Sequence, residues 1–348
     1  MTDSAIDELP ARVRDAIRRR WPEARTGDLQ PLHGGISSLT FSATVTDRGQ
    51  PDRRVVVKVA PPGLPPVRNR DVLRQARVMH AVHDAAGVRV PAVLAQDDGA
   101  ERGPPFFVME FIAGEAYEPK WDVSPTPPSP ATIDRRARAA ARMLARLQAV
   151  DSGAAGLGGE PVLSPAQELD RWARLYATAG DDLRGNERSL ADALAARVPG
   201  PAAGRLARPA VLHGDYRLGN MQFAGDRLGA IIDWEIWSLG DARHDLAWLM
   251  VFTDPVQQRV KGRDAANQAA ADALPAASEL LAEYLREAGL SEAPPDLEWF
   301  QALCYYKLGA TMSVLAKRNR RLTDPDPGLE LVAATTPAML ARALELLG

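Results

Sequence analysis

Residues 211–220, VLHGDYRLGN, gather His213, Asp215, Arg217 and Asn220 into one short segment, and the apolar run after them ends in a further carboxylate, Asp233. Asn220 stands five residues after Asp215, and Asp233 thirteen after Asn220. Oxygen donors of this kind suit Mg²⁺, a hard cation that keeps several waters and completes its shell with phosphate oxygens. Asp and Asn are also ordinary turn formers, because their side chains bond nearby backbone. The segment therefore needs companions before it means chemistry.

Lysine is rare in this chain, five of the 42 basic residues, at positions 58, 120, 261, 307 and 317. Arginine serves almost everywhere else, so each lysine asks for a reason. Lys58 lies in RRVVVKVA, the strongest β-branched run, which predicts a strand. An edge-strand lysine turned to water is the plain alternative. Gly34, Gly35 and Ser37 of LHGGISS precede a predicted hairpin. Backbone N–H groups without a Cβ in the way can close on phosphate there, although a tight turn with no ligand would use the same residues. A glycine loop, a strand lysine and an Asp/Asn/Asp set are the parts of a phosphoryl-transfer site, which needs charge neutralisation and in-line positioning more than covalent chemistry.

The elements that must position these groups follow from periodicity. Residues 5–20 predict an amphipathic helix with Ile6, Leu9, Val13 and Ile17 on one face and Ser4 as N-cap. LHGGISSLTFSATVTD predicts a strand, a glycine turn and a second strand, followed by the Lys58 strand, a helix over 69–86 and two more strands at PAVLAQ and PFFVMEFI. Helices are expected at 131–149, 164–180, 187–198, 241–252, 265–289, 294–317 and 327–347. Between them, residues 209–233 read as short apolar runs broken by turns. The proline-rich PKWDVSPTPPSP marks an irregular connection, which places the domain boundary near 112, with lobes at 1–112 and 113–348.

Composition narrows the function. A length of 348 residues predicts two lobes rather than one core. The net charge of -3 offers no basic footprint for nucleic acid. The lone Cys304 forms no intrachain disulfide, zinc spacings are absent, and neither a signal core nor a membrane span is found, so a cytoplasmic protein is expected.

HGDYRLGN with IIDWE after it resembles the catalytic and metal-binding motifs of the aminoglycoside phosphotransferase and choline kinase superfamily. The likeness extends through LHGGISSLTF, PFFVMEFIAGE, LARLQAVDSGAAGLGG and GDARHDLAWL, and is strongest to bacterial phosphotransferases related to the kinase-like domain of some animal acyl-CoA dehydrogenases. The resemblance implies an α+β, two-lobed protein-kinase-like fold, with a small antiparallel-sheet lobe and a larger, mainly helical one. It implies ATP, or GTP in its place, with Mg²⁺, and a hydroxyl group of a small molecule as acceptor. Asp215 resembles the catalytic base, and Asn220 and Asp233 the metal ligands. Lys58 matches the lysine on the nucleotide phosphates, Gly34, Gly35 and Ser37 the phosphate-covering loop, and Glu110 and Ile112 the hinge that meets adenine. His213 is expected to buttress the loop, and Asp245 to tether it.

One position departs from the family. RQARVM places Gln75 where a glutamate usually pairs the strand lysine, so a neutral amide is expected to accept from Lys58, with Asp71 as a lesser substitute. A nucleotide-binding pseudokinase is the alternative this raises. A protein kinase is disfavoured, since HGD replaces HRD and no APE-ended loop follows. Glu279, Glu283 and Glu287 recur every four residues, and a one-sign stripe at helical spacing is expected to be a solvated face. The acceptor is accordingly expected to be neutral or anionic.

Overall fold

Period-two alternation decides where Lys58 points. On β4 (Arg53–Val59) the side chains of Val55, Val57 and Val59 are fully buried on one face, and Lys58 projects from the other. In the computed structural model, which describes residues 7–32, 38–83, 85, 87–100, 103–257 and 263–348, β4 is the middle of an antiparallel sheet. Its companions are β1 (Arg25–Thr26), β2 (Gln30–Pro31), β3 (Leu39–Thr46), β5 (Val93–Asp97) and β6 (Phe106–Glu110), in the order β1-β3-β4-β6-β5 with β2 also on β3. Lys58 pairs with Thr40 on one side and Phe107 on the other, so it is a central-strand residue and the edge-strand alternative falls.

The outer face of the sheet is closed by α1 (Leu9–Arg20), whose Leu9, Val13 and Ile17 pack on Val55, Val57, Val59 and Phe106. The helix begins at Leu9, with Pro10 in its first turn, where a missing N–H costs nothing. Ser4, expected as its cap, lies outside the described residues. On the inner face runs α2 (Val72–His83), buried along Val72, Ala76, Met79 and Val82.

The rest is mainly helical: α3 (Pro130–Gln148), α4 (Pro165–Tyr176), α5 (Glu187–Ala195), α6 (Arg243–Val251), α7 (Ala265–Asp272), α8 (Ala277–Ala288), α9 (Leu297–Asn319), α10 (Pro327–Ala333) and α11 (Thr336–Leu347). Four short strands interrupt it. β8 (Met221–Ala224) and β9 (Arg227–Ile231) form a hairpin, and β7 (Ala210–Leu212) pairs with β10 (Ser238–Gly240). The helix α9 is buried nearly all round and forms the axis of this part. The largest core joins α2 residues such as Val72 and Met79 to α3 and α9 residues such as Leu144 and Leu303. The fold is thus α+β, with a small antiparallel sheet and a larger helical part, as the resemblance implied. No helix among the described residues is long and apolar enough to cross a membrane.

Two expectations fail for definite reasons. The helices read as continuous over 265–289 and 327–347 are each broken, between Asp272 and Ala277 and between Ala333 and Thr336. Pro275 and Pro337 stand at the breaks, each lacking an N–H and clashing with the preceding turn. The acidic stripe on α8 is also only partly a solvated face, exposed at Glu279 and Glu287 but buried at Glu283. Glu279, Glu283 and Glu287 bond Arg138, Arg142 and Arg146 of α3 at 2.7, 2.8 and 2.7 Å. Both series rise in steps of four, so the two helices run parallel and the carboxylates are engaged.

Candidate functional site

The segment His213–Asn220 leaves β7 through Gly214, whose φ of +84° and 2.6 Å clearance between a would-be Cβ and the Ile236 carbonyl admit glycine alone. Asp245, at the start of α6 and fully buried, accepts the backbone N–H groups of His213 at 2.6 Å and Gly214 at 3.0 Å. His213 donates from Nε2 to the Ile232 carbonyl at 2.8 Å and accepts the Asp215 N–H at Nδ1 at 3.2 Å, which assigns its tautomer. Both residues therefore hold the loop, as expected of them.

Asp215 emerges from this frame with its carboxylate held on three sides. It accepts from Asn220 Nδ2 at 2.7 Å, Trp248 Nε1 at 3.0 Å and Arg217 Nε at 3.2 Å. Burial works to raise its pKa, but Arg217, Lys307 and the Asn220 bond hold the carboxyl below its ordinary range. At neutral pH it is an oriented, ionised acceptor.

Asp233 closes the second half of the site. The β8–β9 hairpin pairs Met221 with Ile231, and Ile232 donates its N–H to the Asn220 carbonyl at 2.9 Å, so Asn220 and Asp233 arrive at the same end. Asp233 has φ +65°, a left-handed conformation that a non-glycine residue adopts at some cost and often at functional positions. Its Oδ1 accepts from Lys58 Nζ at 2.8 Å. The Asn220 amide nitrogen is committed to the backbone and side chain of Asp215, and its Oδ1 carries no hydrogen bond among the described residues. Two hard oxygen donors, with no cluster of three or more ligating side chains among the described residues, fit an ion that takes its other ligands from phosphate and water.

The expected contact between Gln75 and Lys58 is not made. Gln75 is buried on α2 and donates to the Asn69 carbonyl at 3.2 Å, while Lys58 turns to Asp233. The physical reason is the anchoring of α2 by its neighbour Arg74. Its guanidinium donates to Glu160 and the Trp237 carbonyl and stacks on the Trp237 ring at 4.1 Å, and the Arg74 backbone carbonyl accepts the Trp237 indole N–H. Asp71 is no substitute, because its carboxylate caps α2 by accepting the Arg74 N–H at 3.0 Å. Glu110 and Ile112 lie at and beyond the end of β6, with Ile112 against Gly229 of β9. Gly34, Gly35 and Ser37 fall outside the described residues.

Four residues of the site escaped sequence reasoning in any specific role. Trp248 and Arg217 contact Asp215 directly. Glu118, fully buried, accepts the Gly219 N–H at 3.1 Å and lies 3.8 Å from Arg217. Burial pushes its carboxyl up to about 7, against the pull of Arg217 and of the Gly219 bond. Lys307, buried on α9, donates to the Gly214 carbonyl and sits 4.0 Å from the Trp248 ring centre. The scarcity of lysine in an arginine-rich chain was the one signal pointing to it.

Comparison with known proteins bears on the family and the fold. The chain is 27% identical over 281 residues to acyl-CoA dehydrogenase family member 10 of Mus musculus, covering 77% of this chain and 25% of that protein. It spans about a quarter of the length of the first such relatives it matches. Its fold superposes on a candidate aminoglycoside phosphotransferase of Ralstonia eutropha JMP134 with a TM-score of 0.71 and 23% identity, over 98% of each chain. A thermostable mutant of an aminoglycoside phosphotransferase, in ternary complex with AMP-PNP and hygromycin B, matches with a TM-score of 0.59 and 14% identity, over 95% of this chain and 98% of that one. At such identities these two structures speak to the fold. The family model for phosphotransferase enzymes covers residues 28–300, most of the chain and every site residue named above but Lys307, and the chain belongs to the phosphotransferase enzyme family.

Proposed function

We propose that the protein transfers the γ-phosphoryl group of ATP, or of GTP in its place, to a hydroxyl group of a small molecule, with Mg²⁺ as cofactor. The observation that carries this reading is the Asp215 carboxylate, ionised and held by Asn220, Arg217 and Trp248, beside the paired Lys58 and Asp233. Asp215 accepts the proton of the acceptor hydroxyl as the oxygen attacks phosphorus. Its three donors keep the carboxylate aimed, so no reorganisation is needed as charge develops. Lys58, fixed on a central strand, neutralises the nucleotide phosphates as a point charge. Asn220 and Asp233 would hold the metal, which would supply charge neutralisation for the phosphates. Residues 1–112 form the nucleotide lobe in this reading, with Glu110 and Ile112 at the hinge, and residues 113–348 the catalytic and acceptor lobe.

The acceptor is neutral or anionic, because the acidic stripe that would attract a polycation is occupied by Arg138, Arg142 and Arg146. ADP release screened over sugars, alcohols, hydroxy acids and their thioesters, macrolides and aminoglycosides tests the proposal. A hydroxyl-bearing compound should raise ADP release in the wild type and leave Asp215→Asn unaffected. Gln75 bonding away from Lys58 favours a second reading, a nucleotide-binding module without turnover. Nucleotide binding with no ADP from any acceptor would establish it.

A further inference from the structure

Lys307 is a costly residue to bury unless it serves the site. It is 3% exposed, and an ammonium taken out of water loses hydration that a hydrocarbon side chain of similar volume never needs. It stands on α9, the axis of the helical part, 93 residues from its partner Gly214. Its ammonium donates to the Gly214 carbonyl and lies between two indoles, 4.0 Å from the centre of Trp248 and 5.2 Å from that of Trp172. Asp215 and Asp245 face it from the loop and from α6, Glu168 from α4, and Cys304 from its own helix. Trp248 in turn donates its indole N–H to Asp215 Oδ1 at 3.0 Å.

Resting on the phosphotransferase reading, we propose that Lys307 is a positioning residue for Asp215: it clamps the loop at Gly214 and fixes the Trp248 indole, which holds the carboxylate. A compact ammonium can meet a carbonyl and an indole face at once, whereas the planar arginine fork favoured elsewhere in this chain could not be swapped in without moving one of them. A cation over the ring also makes the indole N–H a stronger donor, by drawing on the same π density. Each contact on the line from α9 to Asp215 is thus polar and directional. Hydrophobic packing alone would supply no direction.

The probe is MgATP without acceptor, with ADP release per folded molecule as the readout. Lys307→Met should lower kcat by about 10- to 100-fold, the usual loss when an orienting group is removed, with the KM for MgATP nearly unchanged. Lys307→Gln, which keeps a donor without the charge, stands in if Lys307→Met does not fold, and should show the same split. Because both residues act along one line, adding Trp248→Phe should cost less than the product of the single losses. Unchanged kcat, or strictly multiplicative losses, would overturn the proposal. The second readout needs no turnover. The Trp248 indole N–H resonance, assigned by its absence in Trp248→Phe, should move in Lys307→Met in the direction it moves in Asp215→Asn. An unmoved resonance overturns the positioning role even if the wild type releases no ADP, a result that would count against the phosphotransferase reading alone.

Discussion

The loop around Asp215 and the strand around Lys58, linked through Asp233 and the β8–β9 hairpin, are held differently. Groups of the loop are tied to elements from all over the helical part: Asp245 of α6 to two backbone N–H groups, Ile232 to His213, Trp248 to the carboxylate and Lys307 of α9 to Gly214. Among the described residues Lys58 has one ionic partner, Asp233, and α2 is tied to the helical part through Arg74 instead. The contrast separates two ways of fixing a reactive group. The proposed base is preorganised by redundancy, so no single support carries its geometry. The lysine depends on one residue that is also proposed to hold the metal, so Asp233 couples nucleotide charge and metal in a single carboxylate.

The sharpest way to break the comparison is to remove the base. Asp215→Asn keeps the shape of the loop and should lower turnover by about 10²- to 10⁴-fold, the range for loss of a general base, with nucleotide affinity nearly unchanged by calorimetry. Wild-type turnover in this variant would remove Asp215 from the mechanism.

Next comes Glu118, which lies under the loop. A carboxyl pushed up from 4.5 to about 7 on folding binds its proton more tightly in the native state, so its contribution is full below about pH 4.5 and is lost as pH rises toward 7. At 1.36 kcal/mol per unit that loss is about 3 kcal/mol. Glu118→Gln should therefore be more stable than the wild type at pH 8 and equal to it near pH 4.5, as read from denaturant midpoints. A difference that grows on acidification would contradict this.

A smaller effect is expected at Gln75. A carboxylate there would face the Asn69 carbonyl that the amide now donates to, so Gln75→Glu should destabilise the fold by about 1–3 kcal/mol, the cost of an unsatisfied buried acceptor. It should not tighten nucleotide binding. Tighter binding together with unchanged stability would mean that α2 turns to present the new charge to Lys58.

Smallest is the ladder between α3 and α8. Glu283→Gln should cost about 1 kcal/mol, and less in molar salt, because its partners Arg142 and Arg286 are half-exposed and exposed although Glu283 itself is buried, and the amide keeps an acceptor for them. A larger, salt-independent loss in thermal melts would mark the ladder as part of the core.

What the sequence made legible follows from how far apart the interacting residues lie. Asp215, Asn220 and Asp233 occupy one hairpin-sized stretch, so their spacing alone brings them together, and the Lys58 strand stands out by its β-branched run. Gln75 was placed on the right helix, yet its partner depends on the Arg74–Trp237 contact, which spans 163 residues. The Glu279–Arg138 ladder spans 141 residues, and a stripe seen alone looks like any polar face. Lys307 and Glu118 are buried charges whose partners belong to distant elements, so only their rarity or context hinted at them. The broken helices were a different failure. At Pro275 and Pro337 the missing N–H and the ring clash override apolar periodicity that continues across them.

The central claim is that Lys58, Asp233 and the Asp215 loop together form a phosphoryl-transfer centre. ADP release from ATP with Mg²⁺ and no added acceptor, compared between the wild type and Asp233→Ala, tests it most directly. Slow, Mg²⁺-dependent release that Asp233→Ala abolishes is the predicted result. Tight nucleotide binding with no ADP formed by the wild type, or release that survives Asp233→Ala undiminished, would contradict it.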